Sequence, residues 1–389
     1  MTTQRRLRLG MVGGGQGAFI GGVHRIAARL DDRYELAAGA FSSDPARARA
    51  SAEALHVAPD RAYDSYLAMA KAEAARDDRI DVVSVVTPND SHHAICRAFL
   101  DAGIAVICDK PITTSVEDAL DLVRAVRQSG LLFAVTHNCT GYPMVRQARD
   151  MIAAGDLGAI RVVQVEYPQE WLTTRIEETG QKQAAWRTDP ARSGPAGSVG
   201  DIGTHAHNLA CFVTGLTLSE VAADLSTFVS GRALDDNAHM LLRFEGGARG
   251  MLWCSQVAPG NENGLRLRVY GERGGLEWAQ EHPNQLRYAP HGEAPRILAR
   301  GTGGLGPAAA RATRIPSGHP EGYLEAFAQI YTDIAELLWA QREGRVPDPL
   351  ATLVPGVEEG ARGVKFIEAA LQSSRNGAGW TSARLDLSQ

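Results

Sequence analysis

Through its first 145 or so residues the chain alternates short runs of apolar, β-branched residues with alanine-rich stretches whose apolar positions recur at helical spacing. The runs at 7–12, 34–41, 81–87, 105–108 and 132–136 read as strands, and those at 45–55, 92–102 and 116–128 as amphipathic helices. This alternation predicts a parallel sheet wrapped by crossover helices, a doubly wound α/β unit. From about residue 160 the texture changes. RVVQVEYPQEW, NAHMLLRFEGGARGMLWCSQVAP, LRLRVYGERGGLEW and NQLRYAP alternate apolar with polar residues and meet at glycine turns, the pattern of antiparallel strands covered on one face. Helices are predicted at 142–154, 202–214 and 323–342, and 301–318 reads as a long loop. Two halves are expected: residues 1–143, and residues 144–389 as an α+β domain with a large, mostly antiparallel open sheet.

GGGQGAFIGG, residues 13–22, directly follows the first strand. A glycine ordered in regular structure costs about 0.5–1 kcal/mol more than alanine, so such a cluster implies a need for bare backbone. A strand, a glycine cluster and a helix bring backbone N–H groups and a helix N-terminus together, which suits a pyrophosphate. Gly13, Gly15 and Ala18 fit G-x-G-x-x-A, a permitted form of the dinucleotide fingerprint. The first half is therefore expected to be a Rossmann dinucleotide-binding domain, with Gly13, Gly15, Gln16, Ala18, Phe19 and Ile20 at the cofactor. The second strand ends in AGAFSSDPARAR, with Ser42 where an acid that reads a ribose 2′-hydroxyl usually stands. Ser42, Ser43 and Arg47 suit a 2′-phosphate, whereas Asp44 turned inward suits plain NAD, so NAD and NADP both stay open.

Three further stretches carry chemistry. TPNDSH (87–92) and CDKP (108–111) are assigned to the ends of the fourth and fifth strands, where ligands of such sheets sit. Thr87, Pro88, Asn89, His92, Asp109 and Lys110 then face one crevice. In WRTDPARSGPAGSVGDIGTHAHN, Asp201 and His205 stand at i and i+4 at the mouth of a helix, on one face. THNCTGYP (136–143), closing the sixth strand, brings His137, Asn138 and Tyr142 to the cleft between the halves. Tyr167, Trp171 and Trp186 offer flat amphipathic faces to a ligand ring, and Arg187 offers donors for its polar groups. SGHPEGY (317–323) carries His319 out of the long loop as a lid residue.

In this order the motifs resemble those of the Gfo/Idh/MocA family of NAD(P)-dependent sugar and cyclitol oxidoreductases: a glycine loop, T-P-N-x-x-H, E-K-P and G-G-x-x-x-D-x-G-x-H, spread over nearly the whole chain. The resemblance implies that Lys110, Asp201 and His205 are the catalytic set and that the Lys110–Pro111 bond is cis. It also implies a homo-oligomer, dimer or tetramer, formed through the C-terminal sheet. Two departures stand out. Asp109 replaces the glutamate of E-K-P, and the glycine loop is about three residues longer than usual, so Gly21 or Ala18 could serve as its third small residue. The implied reaction moves hydride between a nicotinamide and a ring secondary hydroxyl of a sugar, glycoside or inositol. His205, with an ordinary pKa near 6.5, is the natural base. Asp201 would orient it or hold a neighbouring hydroxyl, and Lys110 would stabilise the developing alkoxide. The alternatives are a glycoside hydrolase or epimerase working through transient oxidation, and a sugar-sensing regulator without turnover.

Composition narrows the partners. A formal net charge of -5 with scattered arginines gives no field for nucleic acid. No run of about 18 apolar residues suggests a membrane span, and MTTQRRLRLG lacks the apolar core of a signal peptide, so a cytoplasmic protein is expected. The five cysteines lack C-x-x-C spacing and read as buried thiols. His92 with His93, and His205 with His207, lack the carboxylate partners of a catalytic metal site, so no metal is expected.

Overall fold

The computed structural model describes residues 5–387. The first sheet contains β1 (Leu7–Gly13), β2 (Tyr34–Ala40), β3 (Val82–Val86), β4 (Ala105–Cys108) and β5 (Phe133–Val135). All are parallel, in the order β2-β1-β3-β4-β5. Every residue of β3 and β4 is buried, as strands covered by helices on both faces require. The sheet has five strands, and TPNDSH, CDKP and THNCTGYP follow β3, β4 and β5 rather than a fourth, fifth and sixth strand. Between β2 and β3 the chain forms two α-helices, Pro45–Ala54 and Tyr66–Ala74. The strand order reverses between β1 and β3, which opens a crevice at their carboxyl ends between the glycine loop and the TPN turn.

The second sheet has nine strands: β6 (Ile160–Pro168), β7 (Leu218–Ser226), β8 (Asn237–Phe244), β9 (Arg249–Ser255), β10 (Arg266–Gly271), β11 (Gly274–Ala279), β12 (Gln285–Pro290), β13 (Arg296–Ala299) and β14 (Thr381–Ser382). Its pairs are antiparallel except β6 with β9. Helices Pro143–Ala153 and Thr204–Thr214 bury one face. Val162, Leu241, Met251, Tyr270 and Ile297 are exposed on these strands. Four of the five cysteines are buried, and Cys211 is half-buried.

Two long C-terminal helices return to the first sheet. Tyr323–Glu343 packs Phe327, Ile330, Tyr331 and Ile334 with Leu7 and Leu9 of β1. Val357–Arg375 packs Val357, Ala361 and Val364 into the first sheet's core, and Phe366 and Ala370 into the second's. The segment read as a long loop contains a helix, Pro307–Ala312. Beyond it the chain is pinned: the buried Arg300 guanidinium donates to Ile315 O (2.7 Å), to His319 O and to Glu321 Oε1 (2.8 Å). Glu321 Oε1 in turn accepts from the Arg314 and Ile315 backbone N–H groups. His319 is therefore held at the exposed surface, and the lid expected of it is not formed.

Candidate active site

The glycine loop is shaped by close contacts that no side chain could share. Gly13 and Gly14 adopt φ of 82° and 70°. A Cβ on Gly15 would lie 2.7 Å from Phe41 O, and one on Gly21 would lie 2.3 Å from Gly14 Cα. Gly21 is thus the third small residue that lets the helix Phe19–Leu30 close on the loop, whereas Ala18 stands at its N-cap. The longer loop turns at Gln16 and Gly17, and Gln16 N–H donates to Ser51 Oγ (3.1 Å). Arg25 donates to Gly14 O (2.6 Å) from behind.

From this loop a cavity of about 1250 Å³ runs across the carboxyl ends of the first sheet to the second. At one end it is lined by Ser42, Ser43 and Arg47. Asp44 is turned to another task, its Oδ1 accepting from Arg47 N–H (2.7 Å) as the cap of helix Pro45–Ala54. Gly13, Gly15, Gln16, Ala18, Phe19 and Ile20 line the cavity next, followed by Thr87, Pro88, Asn89, His92, Asp109, Lys110 and Asn138. Two of these are also tied into the frame. His92 Nδ1 and Nε2 face Pro111 O (2.8 Å) and Thr87 O (2.9 Å), and Asn89 Nδ2 donates to Ser193 O (2.8 Å). The Lys110–Pro111 peptide bond is cis. The bare-backbone loop and the cavity's volume fit a dinucleotide.

At the far end the two halves meet. Lys110 Nζ donates to Asp201 Oδ1 (3.0 Å) and to Asp201 O. Asp201 Oδ2 accepts from Arg187 Nε (3.2 Å) and Gln256 Nε2 (2.8 Å). Burial raises the Asp201 carboxyl, but Lys110 first and then Arg187 outweigh it and hold it well below the carboxylate range. Both of its oxygens are engaged by side chains other than His205, so Asp201 anchors Lys110 rather than orienting the imidazole. It sits in a π-helical turn, Val199–Gly203, that runs into helix Thr204–Thr214 and carries both Asp201 and His205 to the cavity wall. His205 packs edge-on against His137 (centroids 5.7 Å apart) and near Tyr167 (6.3 Å), with its Nδ1 buried and unpartnered. Burial, then the Lys110 charge and His137, push His205 well below 6.5, so it is neutral at physiological pH.

Tyr142, Tyr167, Trp171, Trp186 and Arg187 complete this end. The Arg187 guanidinium stacks 4.2 Å from the Trp186 ring. His137 and His319, expected at cofactor and substrate, do not line the cavity: His137 forms a layer behind His205, and His319 is on the outer surface. The sequence reading missed a set of carboxamides. Gln169, Asn263 and Gln280 line the wall, with Tyr167 OH and Gln169 Nε2 both donating to Asn263 Oδ1 (2.8 Å each). Isolated amides at strand ends carry no motif that could have flagged them.

The buried histidines bear on stability. Burial lowers His137 to about 3 and His207 to about 4, while the unfolded chain titrates near 6.5. Below pH 6.5 the unfolded state takes up protons that the fold refuses, so stability present above 6.5 is lost as pH falls towards 4 and below, by up to about 1.4 kcal/mol per pH unit for each histidine. A melting temperature that falls steeply between pH 6.5 and 4 is expected, and a flat one would contradict it.

Comparison with known proteins agrees with this geometry. Residues 7–137 match the oxidoreductase family with an NAD-binding Rossmann fold, and residues 145–277 match the GFO/IDH/MocA C-terminal domain. An uncharacterized oxidoreductase, YfiI of Bacillus subtilis, is 36% identical over 379 residues, covering 96% of each chain. The chain belongs to the Gfo/Idh/MocA family. It is an NAD(P)-binding oxidoreductase of that family, related to sugar and inositol dehydrogenases. An oxidoreductase from Sinorhizobium meliloti shares 54% identity with a TM-score of 0.89, over 97% of this chain and 99% of that one. An inositol dehydrogenase homolog from Azotobacter vinelandii, solved with NADH and myo-inositol, shares 38% identity with a TM-score of 0.89, over 97% and 98%.

Proposed function

We propose that this family member transfers hydride between nicotinamide and a ring secondary hydroxyl of a sugar, glycoside or inositol. The observation that carries the reading is the meeting of Lys110, from the end of β4, with Asp201 and His205, from the second half, in the cavity that begins at the glycine loop. The bound dinucleotide supplies the hydride acceptor. His205, neutral and buried, takes the hydroxyl proton. The Lys110 ammonium, held by Asp201, hydrogen-bonds the same oxygen and stabilises the charge that develops on it. Asn138 serves the cofactor. Trp171, Trp186 and Arg187, together with the carboxamides of Gln169, Asn263 and Gln280, hold the ring and its other hydroxyls.

With Asp44 engaged as a cap, Ser42, Ser43 and Arg47 leave room for either NAD or NADP. The myo-inositol found in the Azotobacter vinelandii relative supports a cyclic polyol. Assembly into a dimer or tetramer through the exposed face of the second sheet belongs to the same reading, as does a cytoplasmic location. The test is absorbance at 340 nm with each cofactor and a panel of inositols, aldoses and glycosides. Cofactor reduction by a polyol is expected. Glycoside cleavage without net reduction, or cofactor binding with no turnover of any polyol, would overturn the reading in favour of a hydrolase or a sensor.

A further inference from the structure

Asp109 stands where the family pattern has glutamate, one methylene shorter, and a buried histidine stands against its carboxylate. The ring of His24, from the helix that follows the glycine loop, is fully buried beneath it. His24 Nε2 lies 3.1 Å from Asp109 Oδ1. On its other side, Nδ1 lies 2.8 Å from the Tyr331 hydroxyl and 3.1 Å from Ser84 Oγ. A proton on Nε2 suits the cluster: Nε2–H donates to the carboxylate, and Nδ1 faces two hydroxyls that can each donate or accept. Thr136 Oγ1 donates to the same Asp109 oxygen. Asp109 Oδ2 has no protein partner among the described residues, although Asp109 lines the cofactor cavity and immediately precedes Lys110. Burial raises the Asp109 carboxyl, but His24 and Thr136 outweigh it and hold it at about 2, so it remains an acceptor.

We propose that His24 is a positioning residue that fixes the shortened Asp109 carboxylate, leaving Oδ2 to accept a hydroxyl of the bound dinucleotide and holding the Lys110 backbone in place. The cluster joins the glycine-loop helix, β3, the end of β4 and the helix Tyr323–Glu343, so the glycine loop and the Lys110 end of the cofactor site share one buried contact. The inference rests on the dinucleotide reading and is tested by binding as well as turnover.

His24→Asn keeps an amide near the Nδ1 position but cannot reach Asp109, whereas His24→Gln places its amide near the Nε2 position. In fluorescence titration with NADH, His24→Asn is expected to weaken binding about tenfold and to lower kcat by up to about 100-fold through misplacement, with His24→Gln recovering most of both. Equal behaviour of His24→Asn and the wild type, or equal damage in both variants, overturns the proposal. A second measurement covers poor folding of these variants. Asp109→Glu pushes its longer carboxylate against His24, so it should bind NADH poorly alone and better when combined with His24→Ser. Additive losses in that cycle overturn the proposal. A wild-type protein that binds no NADH overturns the dinucleotide reading instead.

Discussion

Replacing His205 or Lys110 with alanine is expected to lower kcat for polyol oxidation at least about 100-fold each, with cofactor affinity changed far less for His205→Ala than for Lys110→Ala. His205 is the only neutral imidazole among the described residues that lines the cavity next to Asp201 and Lys110 without a hydrogen bond holding it to the frame. Lys110 is the cation that Asp201 holds at 3.0 Å. Because the two act on one oxygen, the double variant should be little worse than the poorer single one. The same arrangement fixes the pH profile. Burial and Lys110 keep His205 well below 6.5, so kcat/KM for oxidation should stay level as pH falls through 6.5 and drop only well below it. Steady-state rates of the three variants across pH 5–9 check both statements. Unchanged rates in either single variant would remove the assigned role.

The second large effect is expected at Gly21. Its Cβ would lie 2.3 Å from Gly14 Cα and 2.7 Å from Gly14 O, both backbone atoms that cannot move aside without displacing the loop. Gly21→Ala should therefore weaken NADH binding by about 100-fold or more, because pyrophosphate recognition depends on the position of the loop's N–H groups. Gly17→Ala is the contrast. Gly17 has a φ of 77° and nothing within 4 Å of a new Cβ, so it should cost only about 1–2 kcal/mol of left-handed strain. Fluorescence titration alongside thermal melting separates a lost site from a lost fold.

Much of the site was legible because its chemistry sits at strand ends that local pattern locates. Buried β-branched runs such as VVSVV placed β3, and with it the TPN turn; Lys110 followed from the end of β4 in the same way. What pattern could not supply was long-range geometry. The helix Val357–Arg375 was missed because its glycines dilute the helical signal. Gly360 is there for close approach, since a Cβ on it would lie 2.7 Å from Ile112. The i, i+4 spacing of Asp201 and His205 correctly set them on one wall, yet it could not show that Arg187 and Gln256 would claim the second carboxylate oxygen. His319 was misread because the anchor of its segment, Arg300, lies 19 residues earlier in a strand-end turn. The choice between Ala18 and Gly21 likewise waited on the packing of helix against loop.

A crystal structure of the protein with NAD+ and a polyol from the reactive panel tests the central claim most directly. The account predicts one ring hydroxyl hydrogen-bonded to both Lys110 Nζ and His205 Nε2, with its carbon against the nicotinamide ring. A nicotinamide lodged away from these two side chains, or a polyol whose oxygens touch only one of them, would contradict it.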